Sequence, residues 1–337
     1  MKPTDFAKYL TDFLTIYLNG QKNASNNTIL SYRDTFKLLL KYCKDVKNLA
    51  LEKVTMETLS AKLIIGFLDW LETERKCSIS TRNQRLAALH SFFRYAQGEA
   101  PSLIYHFQKI ISIPVKKAEK KVIEHLTPEA VKILLEQPDK YTSKGRRDLT
   151  LMSVLYDTGA RVQELIDIKV CDVILDTSSV IVLTGKGNKN RRVPIMKNTA
   201  ILLQTYLVEN NLNESWKKDY PLFTNSQHKK LTKEGVSYII GKYVKVSRVS
   251  SSIVPVKVKP HMFRHSKAMH LLQAGVNLIY IRDFLGHVDL KTTEIYARVD
   301  TEMKRKVLEN AYPDLINSKL PDWNKDQKLL TWLSQLK

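Results

Sequence analysis

The stretch FLGHVDLKTTEIYAR, residues 284–298, sets the architecture expected for the carboxyl-terminal part of the chain. It places His287 directly after Gly286, and Tyr296 nine positions further on. In one unbroken helix nine residues span roughly 13 Å, which is too far for both side chains to contact one small group. Gly286 favours the end of one helix and Asp289 the start of the next. The stretch therefore predicts two short helices joined by a turn that folds Tyr296 back toward His287.

The charge of the whole chain indicates the kind of partner. The 337 residues include 54 Lys plus Arg against 34 Asp plus Glu, a formal net charge of +20, and 43% of them are hydrophobic. The hydrophobic fraction favours packed cores over disorder, and the length is compatible with two domains. A charge of this size favours a polyanion: DNA, RNA or an anionic membrane surface. Residues 1–118 carry +8 and the remainder +12, so both halves are expected to face it.

Cysteine usage and hydrophobicity bear on the compartment. Cys43, Cys77 and Cys171 are odd in number and far apart, and they form neither a disulfide framework nor a CxxC zinc pattern. No apolar run reaches membrane-spanning length, and the first residues lack the apolar core of a signal peptide. We therefore expect a cytoplasmic protein that has no membrane association.

Helical periodicity dominates residues 1–112, which we interpret as one helical domain. Apolar residues recur at three- and four-residue spacing in four stretches that begin near Ser, Thr or Asn, namely residues 3–18, 25–44, 60–76 and 80–97. The composition then changes in residues 113–126, which we interpret as a basic linker. The linker carries Lys116, Lys117, Lys120 and Lys121; such a run is usually a solvated segment, but between two basic domains it also suits contact with phosphates.

A second domain is expected over residues 127–312. Two helices, at about 127–137 and 145–157, precede residues 172–195, where β-branched runs are interrupted by DTSS and GKGN. This pattern predicts a small antiparallel sheet with a basic turn. Helices resume after it, with a Ser- and Val-rich loop at 246–259.

Residues 313–337 are expected to form a tail helix, because Trp323, Leu329, Leu333 and Leu336 fall at helical spacing. The fold class predicted for the chain is therefore mainly α with a small antiparallel β-sheet, divided between a helical domain and a mixed α+β domain.

Polar residues suited to one reaction cluster in the second domain: Arg161, Lys186, His261, Arg264, His287 and Tyr296. Taken singly, each is more often structural than functional. His261 and His265 have the spacing of a zinc-binding pair, but Met262 stands where zinc peptidases need a glutamate. We therefore predict no metal and no other cofactor.

Together, these six residues suit the cleavage of a phosphodiester without a metal. That reaction needs a nucleophile, cations on the non-bridging oxygens and a proton donor for the leaving alkoxide. Tyr296 is the candidate nucleophile, and Arg161 and Arg264 are candidate bidentate clamps on the phosphate. The two histidines suit hydrogen bonding or proton transfer, and Lys186 at its glycine-flanked turn suits the departing 5′ oxygen.

The motifs TGARVQEL, TGKGNKNRRVP, HMFRH, FLGH and TTEIYAR occur in the order and spacing of the tyrosine recombinases, the family of phage integrases and Xer-type recombinases. The resemblance covers about 127–300 strongly, and the first domain resembles the family's core-binding domain only in size and helix pattern. It implies a 3′-phosphotyrosyl link at Tyr296, an active site completed by the other five residues, and a catalytic domain at 127–312. It also implies that Glu164 supports Arg161 and that His265 is a buried hydrogen-bonding residue. Gln163 departs from the serine that is common at its position.

The resemblance implies particular partners as well. The chain is expected to bind double-stranded DNA with short inverted core sites and to form a homotetramer, with the tail docking on a neighbouring subunit or packing in cis. The helical pattern starts within the first ten residues, which predicts no additional arm-binding domain. Candidate DNA-binding residues are Arg82, Asn83, Gln84, Arg85, the four linker lysines, Lys189, Arg191 and Arg192. A solvated polar face explains residues 82–85 equally well.

Two other functions remain open on sequence. A non-cleaving DNA-binding regulator of the same fold would not need all six polar residues. A type IB topoisomerase would share the tyrosine and arginine chemistry but would relax supercoiled DNA without a paired site. The favoured function is a site-specific recombinase that integrates, excises or resolves a mobile element or replicon. The sequence specifies neither the DNA site nor any accessory protein.

Overall fold

A computed structural model of the chain describes residues 3–119, 123–185, 187–287, 289–299 and 327–336. Contacts divide the chain into two compact units, Met1–Lys121 and Val122–Lys337. The division falls inside residues 113–126, where the composition changes. Each unit has its own hydrophobic core.

The first unit is helical. Its α-helices are α1 (Asp5–Asp12), α2 (Asn26–Asp45), α3 (Ala61–Thr73), α4 (Ile79–Glu99) and α5 (Ile104–Ile111), and α1 continues as a π-helix over Phe13–Gln21. The four predicted helical stretches are confirmed. The helix α5 was not among them, although its buried residues Phe107 and Ile110 have the three-residue spacing of a helix face.

Hydroxyl side chains fix where these helices begin. The side chains of Thr4, Ser25, Ser60 and Ser78 each accept a hydrogen bond from the backbone N–H three residues further on. Such N-caps satisfy a donor that the helix itself leaves unpaired. Phe36 and Phe92, on α2 and α4, have ring centroids 5.0 Å apart, and Phe13 of the π-helix lies 5.4 Å from Phe92. These rings join three helical segments into one core.

The second unit combines helices with a small sheet. They are α6 (Pro128–Glu136), α7 (Ser143–Thr158), α8 (Val162–Asp167), α9 (Lys197–Glu209), α10 (Lys233–Ser250), α11 (Pro260–Gln273), α12 (Leu278–Leu285), α13 (Lys291–Val299) and α14 (Gln327–Gln335). Leu151, Val154 and Leu155 of α7 are fully buried, and α11 packs against α7. This central pair positions the polar residues at the carboxyl end of α7 and the amino end of α11.

The predicted sheet is present. In the described part of this unit it has three antiparallel strands in the order β1 (Val173–Ile174), β2 (Val180–Thr184) and β3 (Asn190–Pro194). Leu183 of β2 pairs with Arg191 of β3, and the Gly185 N–H donates to the Lys189 carbonyl at the hairpin end. Lys186 lies outside the described residues.

The start of the Ser- and Val-rich loop differs from the sequence expectation, and part of the predicted tail lies outside the described residues. The Ser- and Val-rich loop begins only at residue 251, because α10 extends to Ser250 with buried Val244 and Ser247 on its inner face. The tail contains α14, but Trp323 and all of residues 300–326 lie outside the described residues.

Over the ranges that the structure describes, no helix is both long and apolar enough to cross a membrane. In the same ranges, no group of three or more His, Cys, Asp or Glu residues is arranged to hold a metal ion.

Candidate active site

A glycine in the left-handed backbone conformation positions Arg161 in the site. The helix α7 ends at Gly159, whose φ of 55° lies in the left-handed region. A Cβ at this position would come within 2.9 Å of Leu285 Cδ2, so both the conformation and the space require glycine. The chain then becomes extended at Arg161, with φ −69° and ψ 149°, which is the N-cap of α8. The turn thus fixes the direction from which the Arg161 side chain enters.

Glu164 holds Arg161 in place, as the sequence resemblance implies. Its Oε2 accepts from the Arg161 backbone N–H at 2.9 Å and its Oε1 accepts from Arg161 Nη1 at 2.7 Å. Burial by itself would raise the pKa of Glu164, but the hydrogen bonds from Arg191 and Arg161 outweigh it and lower that pKa to about 2. The carboxylate is therefore anionic throughout the physiological range, while the Arg161 side chain keeps 37% of its surface exposed.

Arg264 is the buried cation of the site, with 3% of its surface exposed. Its Nη1 donates to the Gly159 carbonyl and its Nη2 to the Leu285 carbonyl, both at 2.7 Å. One guanidinium therefore ties the end of α7 to the end of α12 and satisfies carbonyls that those helices leave unpaired. Burial, and then the charge of Arg161, lower the pKa of Arg264 to about 9, so it remains a cation at neutral pH.

His287 follows the predicted turn, which the structure confirms. The helix α12 ends at Leu285 with Gly286 at a φ of 67°, and α13 begins at Lys291. Nδ1 of His287 lies 2.9 Å from the Thr293 hydroxyl oxygen, a hydrogen bond that fixes the ring orientation. Burial, and then the charges of Arg264 and Arg161, lower the pKa of His287 to about 4. The imidazole is therefore neutral at pH 7.

Tyr296 is almost completely buried, with 1% of its surface exposed. Its hydroxyl lies 2.9 Å from Nδ1 of His265. Burial raises the pKa of Tyr296, whereas the charges of Arg264 and Arg161 act in the opposite direction. Burial and the neighbouring His261 lower the pKa of His265 to about 4, so His265 is neutral at pH 7. Its Nδ1 can therefore accept a hydrogen bond from the Tyr296 hydroxyl.

The structure brings five of the six predicted site residues together. His261 is exposed at the start of α11, and its ring centroid lies 6.2 Å from that of His265. Desolvation, and then the charges of Arg264 and Arg161, lower the pKa of His261. The same two arginines thus act electrostatically on His261, His287 and Tyr296. A site that combines two guanidinium groups, neutral imidazoles and a phenol suits nucleophilic attack on a phosphodiester.

Comparison with known proteins identifies the family. Residues 124–303 match the phage integrase family, and residues 10–100 match the phage integrase N-terminal SAM-like domain. The chain is 35% identical over 336 residues to y4rC of Sinorhizobium fredii, a proposed integrase/recombinase, covering 99% of both chains. The chain belongs to the tyrosine recombinases of the phage integrase family.

Other relatives of this recombinase agree. Tyrosine recombinase XerC of Staphylococcus epidermidis is 31% identical over 88% of this chain and 94% of its own length. Two solved structures share the fold. XerH bound to its difH substrate is 23% identical with a TM-score of 0.64, and the match covers 89% of this chain and 84% of the XerH chain. The Tn1549 transposon integrase with circular intermediate DNA is 18% identical with a TM-score of 0.67, and the match covers 90% of this chain and 99% of the integrase chain. The chain is therefore a site-specific recombinase that cleaves and rejoins DNA, and the predicted family, fold class and enzyme class are confirmed.

The recombinase holds the first two candidate DNA-reading residues in contacts within its own helical unit. Arg82, buried, donates from Nη1 to the Pro114 carbonyl at 3.2 Å, and its Nε lies 3.3 Å from Glu72 Oε1. Asn83 donates to the Lys116 carbonyl at 2.7 Å and accepts from the Lys116 N–H at 3.2 Å. These two side chains thus attach the start of the linker to α4.

The other two candidates on α4 contact α2. Gln84, which is exposed, donates to the Ser31 hydroxyl at 3.1 Å. Arg85 donates from Nη1 to the Ser31 carbonyl at 2.8 Å and to the Thr35 hydroxyl at 3.1 Å. Of these four residues, Gln84 has the most accessible side chain.

The remaining basic candidates divide by exposure. Lys116 and Lys117 are exposed, as are Lys189 and Arg192, whereas Lys120 and Lys121 lie outside the described residues. Arg191 differs from its neighbours because only 12% of its side chain is exposed and its guanidinium contacts Glu164.

Sequence reasoning missed the roles of Arg191 and Thr293 in this site. A signal for Arg191 was present: residues alternate across a strand, Val193 is 1% exposed, and Arg191 shares its face. The exposed Arg192 points the other way. Thr293 had no such signal, because its contact with His287 depends on how the turn closes.

Replacing Gly286 with alanine should destabilise the recombinase. Alanine in the left-handed region costs about 1–2 kcal/mol, and the added Cβ would lie 2.8 Å from Arg191 Nη1. The control is Gly241→Ala on α10, where an added Cβ meets no heavy atom of the described residues within 4 Å. That change should leave the free energy of unfolding unchanged or raise it by up to about 1 kcal/mol. Urea unfolding of both variants measures the difference, and equal stability would contradict the strained turn.

Proposed function

We propose that Tyr296 is the nucleophile of strand cleavage and that Arg161 and Arg264 bind the scissile phosphate. The Tyr296 oxygen attacks phosphorus, the bond from phosphorus to the 5′ oxygen breaks, and the 3′ end remains linked to tyrosine. Attack by the 5′ hydroxyl of another strand reverses the chemistry and releases Tyr296. The observation that supports this most directly is that the buried Tyr296 hydroxyl lies 2.9 Å from Nδ1 of His265, the residue that follows Arg264 on α11. Guanidinium groups match the geometry of phosphate oxygens and remain charged.

The proton transfers have candidate partners. His265, neutral and hydrogen-bonded to the Tyr296 hydroxyl, supports a path for the proton lost on attack. His261 and His287 are suited to hydrogen bonds with the non-bridging oxygens. Lys186 is proposed to protonate the leaving 5′ oxygen. Gly187 and Asn188 beside it have φ of 77° and 58°, a tight turn that suits presentation of the lysine at a hairpin tip.

We assign DNA contacts to both units. Residues 1–112 are proposed as the core-binding domain, 113–126 as a linker along the phosphates and 127–312 as the catalytic domain. Exposure supports Gln84, Lys116, Lys117, Lys189 and Arg192 as the first contacts. The same role for Asn83, Arg85, Lys120 and Lys121 rests on charge and polarity, whereas Arg82 is buried and donates to the Pro114 carbonyl instead. Binding through backbone phosphates suits the net charge of +20.

The tail supports a proposed assembly. The helix α14 leaves Leu330, Trp332 and Leu333 exposed, as is Leu336 directly after it, with between 48% and 59% of the surface of each residue accessible. An apolar face of this kind is suited to docking on a neighbouring subunit. We propose a homotetramer that pairs two duplexes at short inverted core sites. The biological role proposed is the integration, excision or resolution of an element or replicon in the cytoplasm.

A cleavage assay tests this function. Inverted sites are first selected from a random duplex library by binding, and a nicked suicide version of the selected duplex is then incubated with protein in the presence of a chelator. The proposed function predicts a covalent protein–DNA adduct that survives denaturing electrophoresis. Binding without any adduct would support a regulator. Efficient relaxation of supercoiled plasmid that lacks the selected site would support a type IB topoisomerase instead.

A further inference from the structure

Arg191 is directed into the protein by the alternation of β3. Its Nη1 and Nη2 donate to Glu164 Oε1 and Oε2 at 3.1 and 2.8 Å, a two-pronged contact with one carboxylate. Its Nε donates to the Phe284 carbonyl at 3.0 Å. Through these three contacts, each nitrogen of the Arg191 guanidinium donates to an acceptor in the protein itself. A buried arginine in such a geometry is suited to fixing other groups.

Glu164 is therefore shared between two cations. Arg191 takes the two-pronged contact, and Arg161 donates one side-chain N–H at 2.7 Å to Oε1. Two guanidinium groups and one carboxylate leave a net charge of +1, and Arg161 is the more exposed of the two cations. If Glu164 had Arg161 as its single cationic partner, the two side chains would form a closed ion pair. Sharing Glu164 leaves Arg161 able to turn its charge toward a phosphate.

Arg191 also contacts the turn that precedes His287. The Phe284 carbonyl that it binds is adjacent to the Leu285 carbonyl bound by Arg264. A Cβ on Gly286 would come within 2.8 Å of Arg191 Nη1, so the turn packs directly on this guanidinium. Arg191 thus links Glu164, which holds Arg161, to the turn that precedes His287.

We propose that Arg191 is a positioning residue for strand cleavage. It shares the charge of Glu164 so that Arg161 faces the phosphate, and it anchors the end of α12 so that His287 faces the same phosphate. This inference rests on the assignment of Arg161 and His287 to phosphate binding proposed above. It differs from the sequence expectation that Arg191 contacts DNA, because the guanidinium reaches DNA only through the groups that it positions.

The test compares Arg191→Ala with Arg147→Ala in single-turnover cleavage of the suicide substrate at saturating DNA. Arg147 is a matched control outside the site: it donates to buried Asp148 from Nε and Nη2 and to the Thr224 carbonyl from Nη1. Arg191→Ala should slow cleavage by roughly 10- to 100-fold, the effect of losing a hydrogen bond to a charged group. Arg147→Ala should lower stability but leave the cleavage rate of the folded protein unchanged. Arg191→Lys, which keeps the charge but not the fork, should fall between wild type and Arg191→Ala.

Two readouts separate positioning from a loss of packing. Without Arg191 only Arg161 opposes the effect of burial on the pKa of Glu164, so this pKa should be higher than in wild type, and lowering the pH should protonate part of the carboxyl and release Arg161. The cleavage defect of Arg191→Ala relative to wild type should therefore be smaller at about pH 5.5 than at about pH 8. The double variant Arg191→Ala/Glu164→Gln should cleave faster than Arg191→Ala, because no unshared carboxylate then binds Arg161.

The outcomes are distinct. A defect of Arg191→Ala that is constant with pH and persists in the double variant would overturn the positioning role, and so would a wild-type rate in Arg191→Ala. A wild-type protein that forms no adduct would instead contradict the proposed function. If Arg191→Ala does not fold, the pH dependence of Arg191→Met, which removes the charge but keeps most of the side-chain volume, decides the inference by the same criterion.

Discussion

Replacing Tyr296 with phenylalanine should abolish covalent protein–DNA adducts while the protein continues to bind its DNA site. This is the largest effect that we expect. The substitution removes only the hydroxyl oxygen, which is the proposed nucleophile. DNA affinity should change little, because binding depends on basic side chains and backbone phosphates. Denaturing gels of the suicide substrate measure the adduct, and native gels measure binding.

A second tyrosine provides the control. Tyr280 on α12 has 71% of its surface exposed, so Tyr280→Phe should retain full adduct formation. Tyr296→Phe also loses the hydrogen bond to His265, which contributes about 1 kcal/mol, and urea unfolding confirms that the variant is folded. Adducts that persist in Tyr296→Phe would exclude Tyr296 as the nucleophile.

The second large effect concerns Lys186 and the leaving group. Lys186→Ala should slow cleavage of normal DNA by roughly 10²- to 10⁴-fold if the lysine acts as a full general acid. A 5′ alkoxide needs a proton to leave, whereas a thiolate, whose acid has a pKa near 8.5, leaves without one. With sulfur in the 5′ bridging position of the scissile phosphate, most of the defect should disappear.

The sulfur substrate separates chemistry from binding. Lys189, exposed on the same hairpin turn, is proposed to contact the DNA backbone, so Lys189→Ala should have equal effects on both substrates. An equal defect of Lys186→Ala on the oxygen and sulfur substrates would assign Lys186 to binding as well and remove it from proton transfer.

Sequence patterns were sufficient for the local architecture of the site. Glycine and a nine-residue spacing predicted the break between α12 and α13, which Gly286 makes in the left-handed region. Hydroxyl caps predicted the helix starts, and interrupted β-branched runs predicted the sheet. These signals are local, because a cap, a turn or an alternation acts within a few residues. The helix α5 was missed although Phe107 and Ile110 carried the same kind of signal.

Contacts between distant residues could not be read in this way. Charge alone suggested that Arg82 and Arg191 face DNA, whereas Arg82 is buried against Pro114 and Arg191 binds Glu164, 27 positions away. Which partner a buried arginine finds depends on packing between elements, and no periodicity records it. The hydrogen bond between Tyr296 and His265, 31 residues apart, belongs to the same class. The residue types of the site were therefore predictable, but the network that orients them was not.

The central claim, that Tyr296 becomes linked to the 3′ phosphate of DNA, is tested most directly by mass spectrometry of the wild-type adduct. The protein is trapped on the suicide substrate, treated with nuclease and digested with trypsin. Cleavage after Lys291 and Arg298 releases the peptide TTEIYAR, in which Tyr296 is the single tyrosine. This peptide is expected to carry the mass of a nucleotide remnant attached through phosphate to Tyr296. A remnant found instead on the peptide that contains Tyr280, or on any other peptide, would contradict it.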